Sequence, residues 1–261
     1  METTRQPAVA GVFYPGDASV LQRTVSGLLH EAGERPDVPK AIIAPHAGYI
    51  YSGEVAASAY RLLASRAGSI RRVVMAGPSH RVGFRGIAVP ESRYFMTPLG
   101  RIPVDTAAID SLADFPWVQR SDAPHAQEHC LEVQLPFLQT ILDEFTLVPL
   151  VVGQAEPAQV DAVLEHLWGG DETVIVISSD LSHYLPYAQA KAIDARTSSS
   201  IEALREEEIG FDQACGALPV RGLLMAARSH GLHCTTVDQR NSGDTAGPRD
   251  RVVGYGAYVF E

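Results

Sequence analysis

Thr173-Val-Ile-Val-Ile-Ser-Ser179 is the stretch that decides the fold. Its apolar positions are continuous and β-branched rather than alternating, as in a strand covered on both faces of a sheet. Lys40 to Pro45, Arg72 to Gly77 and Phe145 to Gly153 have the same character. Between these runs the spacing turns helical. Gly53 to Ala67 repeats apolar residues three and four apart at Val55, Ala59, Leu62 and Leu63. Glu156 to Trp168 opens Glu-Pro and then sets Val160, Val163, Leu164 and Leu167 on one stripe. Strand and helix in alternation predict an α/β layered fold with a mixed, mainly parallel central sheet flanked by helices. Toward the C-terminus, Cys234 to Asn241 and Val252 to Phe260 read as an antiparallel pair at one edge. Ala188 to Glu207 is long and mostly polar, which predicts a surface helix. Pro136, inside Leu131 to Phe145, is expected to kink a helix or to open a new one. With no repeat, low-complexity tract or long linker, residues 1–261 are expected to form a single domain.

Composition excludes more than it assigns. The chain has 261 residues, 46% hydrophobic and 20% charged, with a formal charge of −10. A general nucleic-acid or anionic-membrane binder needs a basic surface, so neither partner is expected. Cys130, Cys215 and Cys234 are too few and too scattered for a disulfide framework. Reduced cysteines, and an opening Met1-Glu-Thr-Thr-Arg5 that leads into no apolar run of the signal-peptide kind, predict a cytoplasmic protein.

In open α/β sheets ligands bind beyond the carboxyl ends of the strands, so the strand ends direct the search for a site. Three of them finish in histidine. Lys40 to Pro45 leads into His46, Arg72 to Gly77 into Pro78-Ser79-His80, and Thr173 to Ser179 into Asp180-Leu-Ser-His183. Clustered neutral imidazoles suit a transition metal or proton transfer near neutral pH. A metal needs a third ligand, and Asp180, Glu128 and Cys215 are candidates. Cys215 lies in a Gly/Pro-punctuated segment ahead of an apolar helix at Val220 to Ala227, where a thiolate is favoured. Cys130 and Cys234 sit within periodic runs and read as small buried hydrophobes. His125-Ala-Gln-Glu128-His129 spells the inverted zinc-peptidase pattern, which would use the two histidines as ligands and the glutamate to activate water. Gly243-Asp-Thr-Ala-Gly247 reads as a surface turn that could also edge the site. Dinucleotide, P-loop and α/β-hydrolase signatures are absent.

Several of these segments together carry a family pattern. Ala44-Pro-His46-Ala-Gly-Tyr49-Ile-Tyr51-Ser-Gly53, Gly77-Pro-Ser-His80, Glu128-His-Cys-Leu-Glu-Val-Gln-Leu-Pro-Phe137, Ser178-Ser-Asp180-Leu-Ser-His183-Tyr and Asp212-Gln-Ala-Cys215-Gly resemble the Memo family. Pro7 to Pro15 and Val253 to Tyr258 look like it as well, so the likeness spans nearly the whole chain. Bacterial and archaeal members are called AmmeMemoRadiSam system protein B. The family is similar in fold to class III extradiol dioxygenases, non-haem Fe(II) enzymes that open catechol rings.

The resemblance implies metal ligands at His46, His80 and Cys215. It places Asp180 and His183 around the same pocket, with Glu128 and His129 lining it or supporting its walls. His183, oriented by Asp180, is then expected to act as the acid/base, and Tyr49 and Tyr51 either wall the pocket or pack beside it. It implies Fe(II), or else Cu, with O₂ and a small aromatic or phenolic substrate in an oxidoreductase reaction. Where the dioxygenases complete their ligand set with a carboxylate, this chain has Cys215, so ring opening does not carry over directly. The alternative is a non-catalytic protein that grips a peptide or partner, with Arg81 and Arg85 as candidates for phosphopeptide capture. The family name also points to radical-SAM and AMMECR-type proteins as partners.

Overall fold

The four runs singled out above lie side by side at the centre of the sheet in a computed structural model that describes residues 3–32 and 38–261. They are β2 (Ala41–Ala44), β3 (Arg72–Pro78), β8 (Thr146–Val152) and β9 (Thr173–Ser178). All run parallel in the spatial order β2-β9-β3-β8, with Ile43 paired to Ile177 and Val74 to both Ile175 and Val148. Every residue of β2 and β9 is buried, the condition that continuous β-branched runs anticipate.

Antiparallel strands flank this core on both sides, so the sheet is mixed. Beyond β8 come β4 (Ile87–Val89), antiparallel, and β7 (Val118–Arg120). Beyond β2 comes β12 (Val252–Phe260), whose other partners are β11 (Cys234–Asn241) and the short β10 (His183–Leu185). A separate small sheet joins β1 (Thr4–Arg5), β5 (Tyr94–Thr97) and β6 (Gly100–Pro103). One continuous apolar core runs through the whole arrangement.

Helix ends follow local chemistry. Asp17 caps Ala18–Glu31 by accepting from the Val20 amide at 2.9 Å, and Glu156 precedes Pro157 at the start of Pro157–His166. Pro136 opens a new helix, Leu135–Ile141, after a single 3₁₀ turn at Glu132–Gln134. The polar stretch near residue 190 forms the expected surface helix, exposed along one face and buried along the other. Helix Tyr187–Glu202 buries Asp194, Thr197, Ser198 and Ser200, whose small polar side chains find partners inside. Ser198 and Tyr258 share a hydroxyl contact of 2.7 Å, and Asp194 accepts the Ser182 amide at 3.0 Å. Polarity therefore did not mean exposure, because each buried group is satisfied. No helix among the described residues is long and apolar enough to cross a membrane.

Candidate metal centre

β2 runs out into Pro45-His46, β3 into Ser79-His80 and β9 into Ser179-Asp180. The register that pairs Ala44 with Ser178 sets His46 beside Asp180, whose Oδ1 accepts the His46 amide at 2.7 Å. Cys215 arrives from the turn ahead of helix Ala217–Ser229. Its amide donates to the Asp180 carbonyl, and its Sγ accepts from the Asp180 amide, both at 3.3 Å. Gly216 permits that approach, since a Cβ there would stand 2.9 Å from the Ser178 carbonyl oxygen and 2.8 Å from Ser179 Cβ. One donor atom from each of His46, His80 and Cys215 lies within 4.8 Å of the other two.

Hydrogen bonding decides which nitrogen each ring presents. Ser178 Oγ gives its one proton to the Cys130 carbonyl at 2.6 Å, so it can only accept from Gln134 Nε2 at 2.8 Å and from His46 Nδ1 at 2.9 Å. His46 therefore carries its proton on Nδ1, leaving the Nε2 lone pair 3.3 Å from Cys215 Sγ. Glu128 does the same for His80. Burial raises the Glu128 carboxyl, but the His80 ring and the surrounding amides outweigh it and hold the group at about 2. As a carboxylate it accepts the His80, His129 and Cys130 amides at 2.6, 2.9 and 3.1 Å, and the His80 Nδ1 proton at 2.9 Å. Carboxylate-backed imidazoles of this kind are what metal sites use to fix ring orientation. His183 follows the pattern, with Nδ1 against the Leu181 carbonyl at 2.8 Å and Nε2 left open.

Charge states complete the donor set. Burial and the neighbouring His80 push His46 down to about 3, so its imidazole is neutral at pH 7. Burial and the adjacent Asp180 push the Cys215 thiol up to about 12. Burial likewise raises Asp180. Two imidazole nitrogens and a sulfur together fit a soft or borderline transition metal.

A cavity of about 600 Å³ opens in front, lined by His46, His80, His129, Asp180 and His183 together with Phe13, Tyr51, Tyr184 and Tyr255. Ser242 and Gly247 edge it, so the Gly/Asp-rich turn does border the site. Burial and nearby His46 lower His129 to about 4. Its ring stacks on His80 with centroids 4.8 Å apart.

Three expectations need correction. Tyr49 does not wall the cavity. It is 6% exposed, donates its hydroxyl to the Val133 carbonyl at 2.8 Å and packs its ring on Phe137 at 5.0 Å. Asp180 does not hold the His183 ring; the Leu181 carbonyl does, while Asp180 Oδ1 takes the His46 amide. The zinc-peptidase arrangement is not formed. Its helix stops at Ala126, and His125 is turned away, buried, with Nε2 on the Ala88 carbonyl at 3.1 Å. Ser178, Gln134 and the Leu181 carbonyl escaped the sequence reading. Gln134 alone left a signal, as an amide within an apolar stripe.

Fold and site together define a mixed α/β protein with a candidate His/His/Cys metal centre at the carboxyl ends of its parallel strands. The Memo family model, described as Memo-like protein, matches residues 5–259, and the chain belongs to that family. A MEMO1 family protein of Aquifex aeolicus is 36% identical over 267 residues, covering 98% of each chain. One from Ignicoccus hospitalis is 36% identical over 282 residues, again 98% of each. The relative from Methanobrevibacter smithii is 34% identical over 281 residues, 98% of this chain and 99% of its own.

Proposed function

We propose that this protein is a metal-dependent oxidoreductase of dioxygenase-like type, acting on a small aromatic or phenolic substrate with O₂. His46 Nε2, His80 Nε2 and Cys215 Sγ would hold Fe(II), with Cu as the alternative. The observation that carries the reading is the set of three rings whose Nδ1 protons are all engaged, leaving Nε2 lone pairs on His46, His80 and His183. When bound, the metal supplies Lewis acidity and electron transfer between reactants.

The chain's own residues do the rest. His183 takes a substrate hydroxyl proton at Nε2, because Nδ1–H is fixed on the Leu181 carbonyl. Asp180, buried behind His46, fixes that residue's backbone through its amide. Phe13, Tyr51 and Tyr255 give the substrate ring an apolar wall and keep water away from it. O₂ uptake by anaerobically Fe(II)-loaded protein, across a panel of catechols and phenols, tests the reading. Uptake is expected in the wild type and lost in His183→Ala with metal content unchanged. Silence across a broad panel would sink it.

Metal uptake must also expel the Cys215 proton, since the thiol is protonated at every pH below about 12. The apparent affinity should rise about tenfold per pH unit through neutrality. His46 adds nothing to this slope above its own low value of about 3. Competition titrations at several pH values read the slope directly, and a flat profile would mean that Cys215 is not a ligand.

A second reading is favoured by the rim of the same cavity. Val12, Ile50 and Tyr184 are exposed by 79, 71 and 63% there, an unusual apolar grouping. A protein partner, of the radical-SAM or AMMECR type, would cover it. Retention of a peptide or partner by protein that shows no turnover would favour this reading.

A further inference from the structure

A second cavity, of about 760 Å³, lies away from the donor atoms and is lined by Arg85, Trp117, Glu156, Phe211, Leu218 and Arg221. It continues inward. Gln154, Phe211 and Leu218 also line a smaller cavity of about 340 Å³ whose wall includes His80 and Cys215. A groove therefore joins the candidate metal centre to the arginine pair, passing Phe211, which is 71% exposed.

Neither arginine side chain makes a hydrogen bond among the described residues. Neither Arg85 nor Arg221 forms an ion pair among the described residues, and Arg221 Nε is a buried donor with no acceptor. A buried guanidinium N–H without an acceptor is costly, so a ligand oxygen there would relieve it. Glu206 is near enough to interact with Arg221 through space, but its hydrogen bonds come from Arg228 at 2.6 and 2.9 Å and Arg221 Nε stays without one. Among the described residues lining the cavity, Arg85 and Arg221 are basic and Glu156 is acidic. Two guanidinium groups without hydrogen-bonded carboxylates draw anions.

We propose that Arg85 and Arg221 form an oxyanion subsite for a carboxylate or phosphate group, so that ligands reaching His80 and Cys215 along the groove carry an acidic end. The link to catalysis rests on the metal-centre reading; the subsite itself does not. Calorimetric titration of the full chain with inorganic phosphate and, separately, benzoate tests it and separates the two oxyanion types. Wild type is expected to bind at least one of them, with affinity falling about tenfold or more in Arg221→Gln and in Arg85→Gln. Arg101→Gln, at an arginine lining a separate cavity, is the control and should bind the same anion as the wild type does. No binding of either anion by wild type, or equal binding by the arginine variants, would overturn the proposal.

Discussion

His80→Ala and Cys215→Ser are expected to leave the protein without near-stoichiometric iron or copper, where wild type loaded anaerobically is expected to hold it. Each change removes one of three donors drawn within 4.8 Å of one another, and water replaces it without the ring or thiolate's affinity. The supporting groups predict a graded series. Glu128→Gln keeps an acceptor for the His80 ring but loses the carboxylate, and should cost about 10–100-fold in metal affinity. Ser178→Ala frees the His46 ring and should fall in the same range. Metal analysis after desalting measures the first pair, and competition with a chelator measures the second. Thermal melts of the metal-free proteins show whether any variant has lost its fold. Full metal retention in His80→Ala would dismiss the assignment.

The largest stability loss is expected outside the donor set, at Glu132. Its side chain is fully buried, and its carboxylate ion-pairs with Arg5. It also accepts the Ala8 and Val9 amides at 2.7 and 3.0 Å and the Tyr14 hydroxyl at 2.5 Å. Arg5 is itself 6% exposed and also donates to the His125 and Glu128 carbonyls. Glu132→Ala strands that guanidinium and two amides at once, a loss of about 3–5 kcal/mol. Denaturant titration should show a lower midpoint with an unchanged slope. The segment that Glu132 anchors also brings Phe13 to the cavity, so limited proteolysis ahead of Asp17 should accelerate. A loss under about 1 kcal/mol would show that Arg5 finds water or another partner.

The central strands were legible because long β-branched runs bury both faces and need no long-range information to be recognised. Predicted and observed bounds of Arg72–Pro78, Thr146–Val152 and Thr173–Ser178 differ by a residue or so at each end. The strands Ile87–Val89, Val118–Arg120 and His183–Leu185 were not legible, since three residues carry too little pattern and exist only through their neighbours. Strand ends pointed to His46, His80 and His183, whereas Cys215 rested on its punctuated segment and on family likeness. What spacing could not supply was direction. His125 and His129 sit one helical turn apart in sequence, yet the helix ends between them and their rings part. Glu132 was hidden for the opposite reason: a glutamate in an apolar stripe looks like an interruption until Arg5, remote in sequence, supplies its partner.

The pairing of Ala44 with Ser178 has a consequence for how the protein comes to be functional. His46 and Cys215 stand 169 positions apart in the chain, and their approach depends on β2 and β9 lying in that one register. A slip by a single residue would turn every side chain to the opposite face and carry His46 away from Asp180. The donor set therefore cannot be assembled piecemeal by a half-folded chain. On the proposed reading, metal capture would be all-or-none with the sheet, and bound metal would report correct strand alignment.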